Sequence, residues 1–314
     1  MIGSGIVCEP NCVEKTKADS CSTGTVRLSI LLVNYNGARH LPACLESIRC
    51  FAPPDTQVVL EDNASTDGSI EAAEKKFPWL RIVRSSRNLG FAGGNNLAGK
   101  SAGGRFLLLL NTDTVLLENI SPVVDWLENH SAYGAVTIRM LDGNRVTRPS
   151  TGRFPSAFRL ALLRTMLVSH ERYGASEAYD VDWLQGSFLL IRASVWQELK
   201  GLDEQYFMYG EDVDLCKRVW DAGYRCACLP RLQYLHWGGF DASRFPDQIR
   251  GLANYVERHM AGPQRLLCIF VLYGGCLVRA VAFFAIGLLR NRETSRTKAK
   301  ASWRAFRALL RRQA

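Results

Sequence analysis

The chain has 314 residues, 47% hydrophobic and 22% charged. That balance supports a full core and excludes a collagen, a coiled coil or a wholly disordered chain. The net charge is +9, but residues 290–314 carry nine Lys/Arg and one Glu, which leaves only +1 on residues 1–289. A nearly neutral body argues against nucleic acid as a partner, and the positive charge is a tail that needs its own explanation.

Ten cysteines show no metal-ligand spacing. Cys8, Cys12 and Cys21 lack His or Cys partners at finger-like intervals. Cys226 and Cys228 alternate along an expected strand, and Cys44, Cys216, Cys268 and Cys276 sit among apolar residues. Reduced, mostly buried thiols in a cytosolic compartment are therefore expected. Residues 1–24 have no basic start followed by an apolar core, so they read as a disordered leader rather than a signal peptide.

Residues 27–34 form an apolar run that stops at polar residues, as in a parallel strand buried on both faces. A helix is expected over 41–50, then a second strand over 57–62 that ends in carboxylates. Asp67 caps a helix before a short third strand at 80–83. A further helix starts over 95–100, and a fourth strand spans 106–111. Strand and helix alternate with polar residues at strand ends, which describes an open α/β sheet with its ligand crevice there. The second half predicts a strand over 182–192 and a short helix over 194–200 closed by Gly201. A helix over 211–222 closed by Gly223 follows, then strands near 224–229 and 232–236. The 24 residues 266–289 have Arg279 as their only charge. They are long enough to cross a bilayer, although a central Arg costs about 2.5–3.5 kcal/mol there. Trp303, Phe306, Leu309 and Leu310 recur at helical spacing among arginines, which suits an anionic membrane surface.

Three clusters have the chemistry of a site. Asp62 and Asn111-Thr-Asp113 stand where strands emerge, and oxygen ligands there suit Mg²⁺ or Mn²⁺ bridging phosphates. Taken singly, Asp62 and Asp67 have an ordinary alternative in turns and caps. The glycine-rich loop Asn88-Leu-Gly90-Phe-Ala-Gly93-Gly94-Asn95-Asn96 lets backbone approach a ligand, but it is not a phosphate loop. Glu211, Asp212 and Asp214 open a helix, where acids complement its dipole and Asp214 can pair with Lys217 or Arg218. Asp212 is the best placed as a general base. His236, at a strand end before glycines, can complete a metal shell with Asp113.

Six motifs in order carry a resemblance. They are Val33-Asn34-Tyr35-Asn36, Asp62-Asn-Ala-Ser-Thr-Asp67-Gly-Ser, Asn88-Leu-Gly-Phe-Ala-Gly-Gly-Asn-Asn, Leu110-Asn-Thr-Asp113, Gly201-Leu-Asp-Glu-Gln-Tyr-Phe-Met-Tyr-Gly-Glu211-Asp212-Val-Asp214-Leu and His236-Trp-Gly-Gly. Together, over roughly residues 27–240, they resemble the family 2 glycosyltransferases, in their rhamnosyltransferase-like branch. The resemblance implies a GT-A fold: an α/β protein with a mixed, mostly parallel central sheet flanked by helices and a Rossmann-like nucleotide-binding half. It implies inverting transfer from a nucleotide-diphosphate sugar, dTDP-rhamnose ahead of UDP-sugars, with a divalent metal, Mg²⁺ or Mn²⁺.

Residue by residue, the resemblance puts Asp62 on the donor base, with Asn34 and Asn36 in the same pocket and Asn88, Gly90, Asn95 and Asn111 on the donor side. Asp113 and His236 hold the metal, Asp212 is the catalytic base, and Gly186 and Glu211 lie on the acceptor side. Glu61 departs from the family, which has an apolar residue there, and is expected to add a charge beside the base pocket. A catalytic domain is expected over 25–262, its donor half over 27–140 and acceptor half over 141–240, before an apolar helix and basic tail over 263–314. A glycan or polyprenyl-linked acceptor on the cytoplasmic side of a bacterial membrane, in surface polysaccharide synthesis, explains that C-terminus. A dinucleotide enzyme needs a glycine-rich turn directly after the first strand, and Asn34-Tyr-Asn-Gly-Ala-Arg39 matches one poorly. Retention of Asp62, Asp113, Asp212 and His236 together argues against a catalytically silent nucleotide-sugar-binding protein.

Overall fold

Seven residues, Leu-Ser-Ile-Leu-Leu-Val-Asn, make the central strand β1 (Leu28–Asn34), and Leu28, Ile30, Leu31 and Leu32 are fully buried. The computed structural model describes residues 26–161, 174–238, 242–289 and 293–310. The expected leader, 1–24, lies outside the described residues. After β1 come α1 (Leu41–Phe51), β2 (Thr56–Asp62), α2 (Ser69–Lys76), β3 (Arg81–Arg84), α3 (Gly90–Gly99) and β4 (Phe106–Asn111). Then follow β5 (Thr114–Leu116), α4 (Ser121–Asn129), β6 (Tyr133–Leu141), β7 (Thr147–Arg148), β8 (Thr151–Gly152) and α5 (Ala157–Ala161). The second half adds β9 (Tyr179–Val181), β10 (Trp183–Leu184), β11 (Phe188–Arg192), α6 (Ala193–Glu198), α7 (Glu211–Asp221) and β12 (Arg225–His236). Three helices finish the described chain: α8 (Phe245–His259), α9 (Gly262–Leu289) and α10 (Glu293–Leu310).

One mixed sheet runs β3-β2-β1-β4-β11-β6-β12-β5. β1 to β4 are parallel, β11 runs antiparallel between β4 and β6, and β12 is parallel to β6. Leu28, Ile30, Leu32, Val58, Leu60 and Leu108 face α1, α2 and α4. Leu31, Val59, Leu109, Leu189 and Ile191 face the opposite layer, which includes α3, α7, α8 and the C-terminal helices. Alternate residues of one strand thus serve two cores, as expected of a sheet covered on both sides.

Several boundaries differ from expectation. α3 begins at Gly90, so the glycine-rich stretch is the helix itself and not a loop before it. Its small residues let the helix lie close to the sheet: a Cβ at Gly94 would stand 2.7 Å from Val33 Cγ1. The expected strand 182–192 is split into β10 and β11 by a turn, and the two expected strands after 224 are one strand, β12, with register shifts against β6. Gly68 (φ 76°), not Asp67, is the cap residue of α2. β6, α4 and α8 had no counterpart in the sequence reading. Cys44, Cys216, Cys226, Cys228, Cys268 and Cys276 are free and buried. Cys50 is disulfide-bonded, which corrects the expectation of reduced thiols at that position.

Candidate active site

The parallel strands deliver their polar ends to one edge. β1 ends at Asn34 and β2 at Asp62, paired in register. Asn34 is fully buried and donates to the hydroxyls of Ser65 (3.0 Å) and Ser69 (2.8 Å). Its Oδ1 has no partner among the described residues, and a Cβ at Gly37 would stand 2.1 Å from it. Asp62 Oδ1 accepts the Ser65 N–H at 2.9 Å. Asn36, in the left-handed region (φ 53°), accepts the Thr66 N–H at 2.8 Å. Asp67 accepts from Ala38 (2.8 Å) and Ser69 (3.1 Å). The two loops are thus laced together by their own side chains, which fixes the floor of the crevice before any ligand arrives.

The start of α3 is held by a residue to which the sequence reading gave no role. Asn63 accepts the Leu89 N–H at 2.6 Å and donates to Gly90 O at 3.1 Å. Asn88 Oδ1 accepts the Gly90 N–H at 2.8 Å. Gly90 needs to be glycine: its φ is 74°, and a Cβ would stand 2.2 Å from Phe207 O. Asn95 is buried and donates to Phe91 O of its own helix at 2.9 Å, whereas Asn96 reaches across to Leu202 and Glu204.

Glu61 adds no charge beside the base pocket. Its carboxylate lies under α3, 2.8 Å from where a Gly94 Cβ would be, while Asn34 engages the loop before α2. Both oxygens are buried without a partner. Burial first, then the neighbouring Asp62 charge, push its pKa up to about 8, so it holds a proton at neutral pH.

Antiparallel pairing of β12 with β5 sets His236 opposite Thr114 and so brings it to Asp113. His236 Nε2 lies 3.1 Å from Asp113 Oδ1 and 3.4 Å from Asn111 Nδ2. The Thr114 hydroxyl donates to Asn111 O at 2.6 Å and fixes the turn. Burial opposes ionisation of Asp113, but the hydrogen bond and charge of His236 outweigh it and hold Asp113 below the usual carboxylate value. A Cβ at Gly238 would stand 2.8 Å from His236 Nε2 and 3.0 Å from Asp113 Oδ2, so the glycine keeps the pair uncovered. A carboxylate and an imidazole facing such a cradle fit Mn²⁺ or Mg²⁺. Among the described residues no third His, Cys, Asp or Glu joins them.

On the other side, α7 begins after Gly210 (φ 94°). Half-buried Asp212 accepts the Gly186 N–H through Oδ2 (3.1 Å) and the Val213 N–H through Oδ1 (2.8 Å). Burial raises its pKa above the usual carboxylate value, and these two hydrogen bonds hold the rise back. Glu211 is buried beside it, with Oε2 unpartnered. Burial and then the Asp212 charge push Glu211 well above the usual carboxylate value, so the two adjacent carboxyls titrate as a pair. Asp214, fully buried, pairs with Arg218 Nε (2.8 Å) and Arg258 Nε (3.2 Å) and bonds His259 Nε2 (2.7 Å). Lys217 pairs with Asp221 instead.

The two sides meet at the turn before β11. Ser187, next to Gly186, accepts the Asn111 N–H at 3.2 Å. A short path therefore links Asp212, Gly186, Ser187, Asn111, His236 and Asp113.

The family profile described as Glycosyl transferase family 2 matches residues 29–199. The N-acetylglucosaminyl-diphospho-decaprenol L-rhamnosyltransferase of Mycobacterium tuberculosis is 30% identical over 242 residues, 70% of this chain and 78% of that protein. Rhamnosyltransferase WbbL of Escherichia coli K12 is 28% identical over 171 residues, 50% of this chain and 64% of that one. Among solved structures, mannosyltransferase PcManGT of Pyrobaculum calidifontis, in complex with GDP-Man and Mn²⁺, aligns with a TM-score of 0.58 at 18% identity over 93% of this chain and 88% of that one. S. aureus TarS 1-349 in complex with UDP aligns at 0.54 and 16% identity over 92% of each chain. These likenesses bear on the fold, which is GT-A. With the profile matched over more than half its length, the chain belongs to glycosyl transferase family 2.

Proposed function

We propose that this glycosyltransferase moves rhamnose, with inversion, from dTDP-rhamnose to a hydroxyl of a polyprenyl-diphosphate-linked glycan. The work is done at the cytoplasmic face of a bacterial membrane, in surface polysaccharide synthesis. The observation that carries the reading is the pair of sites joined by the turn before β11: Asp212, bound to the Gly186 N–H, on one side and Asp113 with His236 on the other. The rhamnosyltransferase names of the mycobacterial and E. coli relatives support the donor, and the mycobacterial name supports a lipid-linked acceptor.

The acceptor oxygen bonds to the anomeric carbon as that carbon's bond to the diphosphate oxygen breaks. The hydroxyl proton goes to Asp212, and the departing diphosphate takes the bonding electron pair. Asp113 and His236 would hold the divalent metal. Such an ion supplies positive charge beside the departing diphosphate. Asn34, Asn36 and Asp62 receive the donor base, and the loops laced around Ser65 keep them in position.

The test is transfer of radiolabel from dTDP-rhamnose, UDP-glucose or UDP-N-acetylglucosamine to lipid extracted from bacterial membranes. Label from dTDP-rhamnose alone, lost in Asp212→Asn, supports the reading. Label from a UDP-sugar, or full transfer by Asp212→Asn, overturns the donor or the base respectively.

A further inference from the structure

α9 is apolar around its whole circumference, but only one side is covered. Cys268, Leu272, Cys276, Ala280 and Gly287 are buried and recur at helical spacing along one face. Tyr273 donates its hydroxyl to Leu309 O at 2.8 Å, and Gly287 lies against Arg296. These contacts make α9 and α10 an antiparallel hairpin. Phe245 of α8 and Phe283 of α9 flank the Arg279 guanidinium at 4.8 and 5.0 Å. The one charge in the middle of the apolar run therefore turns toward the protein.

The other side of α9 is open. Leu266, Phe270, Val278, Val281, Phe284 and Leu288 are 58–75% exposed and form a stripe along the helix. A continuous apolar surface of this length is an interaction site. On α10, Arg296, Lys300, Arg304 and Arg307 are exposed together with Trp303. An apolar stripe beside a basic helix with an exposed Trp matches the chemistry of an anionic lipid surface. A second copy of the chain fits less well, because symmetric pairing through the stripe would bring two basic helices together.

We propose that the α9–α10 hairpin docks the protein on an anionic bilayer with α9 lying in the membrane plane, and that α9 does not cross it. The open stripe sits at the boundary of headgroups and acyl chains, and the basic residues of α10 meet the lipid phosphates. Crossing would strip the covered face of α9 from α8 and α10. It would also take Arg279 from between its two aromatic rings into hydrocarbon. The proposal deepens the membrane reading above and depends on neither donor nor acceptor.

Sedimentation of the full chain with vesicles tests it. Binding to phosphatidylcholine vesicles containing about a quarter phosphatidylglycerol should exceed binding to phosphatidylcholine alone by about tenfold or more, and salt should weaken it. Phe270→Glu with Leu288→Glu should lose about tenfold or more with helix content retained, and Arg304→Gln with Arg307→Gln should lose the preference for anionic lipid. A second measurement uses the wild-type sequence carrying a C-terminal epitope tag in bacterial spheroplasts. The tag should be protected from added protease, because an in-plane helix leaves it on the catalytic side. Cleavage of the tag overturns the in-plane orientation. Undiminished binding by the Glu variant overturns the docking face, as does a wild-type dimer that binds no vesicle. Sugar transfer is assayed separately, so failure of the enzymatic reading leaves these results unchanged.

Discussion

The backbone N–H of Gly186 lies 3.1 Å from Asp212 Oδ2, and the next residue, Ser187, accepts the Asn111 N–H at 3.2 Å. Two consecutive residues of one turn thus position Asp212, the proposed base, and the end of the strand that leads to Asp113. A Cβ at Gly186 would stand 2.9 Å from Phe91 Cζ. Gly186→Ala must therefore move the ring or the turn, and a shift of about 1 Å at a reacting group costs on the order of a hundredfold. The expected outcome is a kcat lowered by about ten- to a hundredfold with donor KM little changed. Steady-state kinetics checks it, and an unchanged kcat contradicts the positioning role.

Asp212 accepts a proton only when ionised, and burial raises its pKa above the usual carboxylate value. Activity should fall as pH drops through that raised value, so the acid limb of kcat/KM lies above the ordinary range for Asp. Asp212→Asn should lower kcat by about 10²–10⁴ and leave donor affinity nearly intact. A pH profile and a donor titration on the same variant separate these effects. Donor affinity lost in step with kcat would mean that Asp212 binds rather than accepts a proton.

Glu61 makes stability depend on pH. Its carboxyl is raised from 4.5 to about 8 by burial and by Asp62. Below 4.5 both folded and unfolded chains hold the proton. Between 4.5 and about 8 the unfolded chain releases it while the folded chain keeps it, so stability falls as pH rises and levels off above about 8. Glu61→Val removes two unpartnered oxygens and should flatten this slope, adding about 2 kcal/mol or more near pH 8. Denaturant unfolding at several pH values measures it, and parallel curves for the two proteins would rule out Glu61 as the source.

Asp214 is a buried hub between α7 and α8. It faces Arg218, Arg258 and His259, and Arg258 also pairs with Asp203. Arg218 further donates to Leu199 O and Gly201 O. Asp214→Ala leaves these groups facing an uncharged space and should cost about 3–5 kcal/mol. Arg258→Ala, at a half-exposed partner, should cost much less. Comparable losses in the two variants, read by thermal unfolding, would contradict the hub.

The strand ends were legible because apolar runs stop abruptly at Asn34, Asp62 and Asn111, and a parallel sheet brings such ends to one edge. The helix at Glu211 was legible from its acidic first turn. The start of α3 was not. Glycine weakens helix propensity, and what favours a helix here is close packing on Val33 together with hydrogen bonds to Asn63, neither of which is local. The insertion of β11 between β4 and β6 was also hidden, because nothing near 188–192 names partners that lie far back in the chain. Glu61 stood out as a charge in an apolar run. Only the structure reveals that it points beneath α3 and keeps its proton.

The most direct test of the account is calorimetric titration of dTDP with and without Mn²⁺, on wild type and Asp113→Ala. Asp113 and His236 face the Gly238 cradle as a two-residue site. The wild type should bind dTDP about tenfold or more tighter with Mn²⁺ than without, and Asp113→Ala should lose that difference while keeping weak metal-free binding. Tight dTDP binding that ignores Mn²⁺, or an Asp113→Ala variant that still responds to it, would contradict the assignment of Asp113 and His236 as the centre of the donor site.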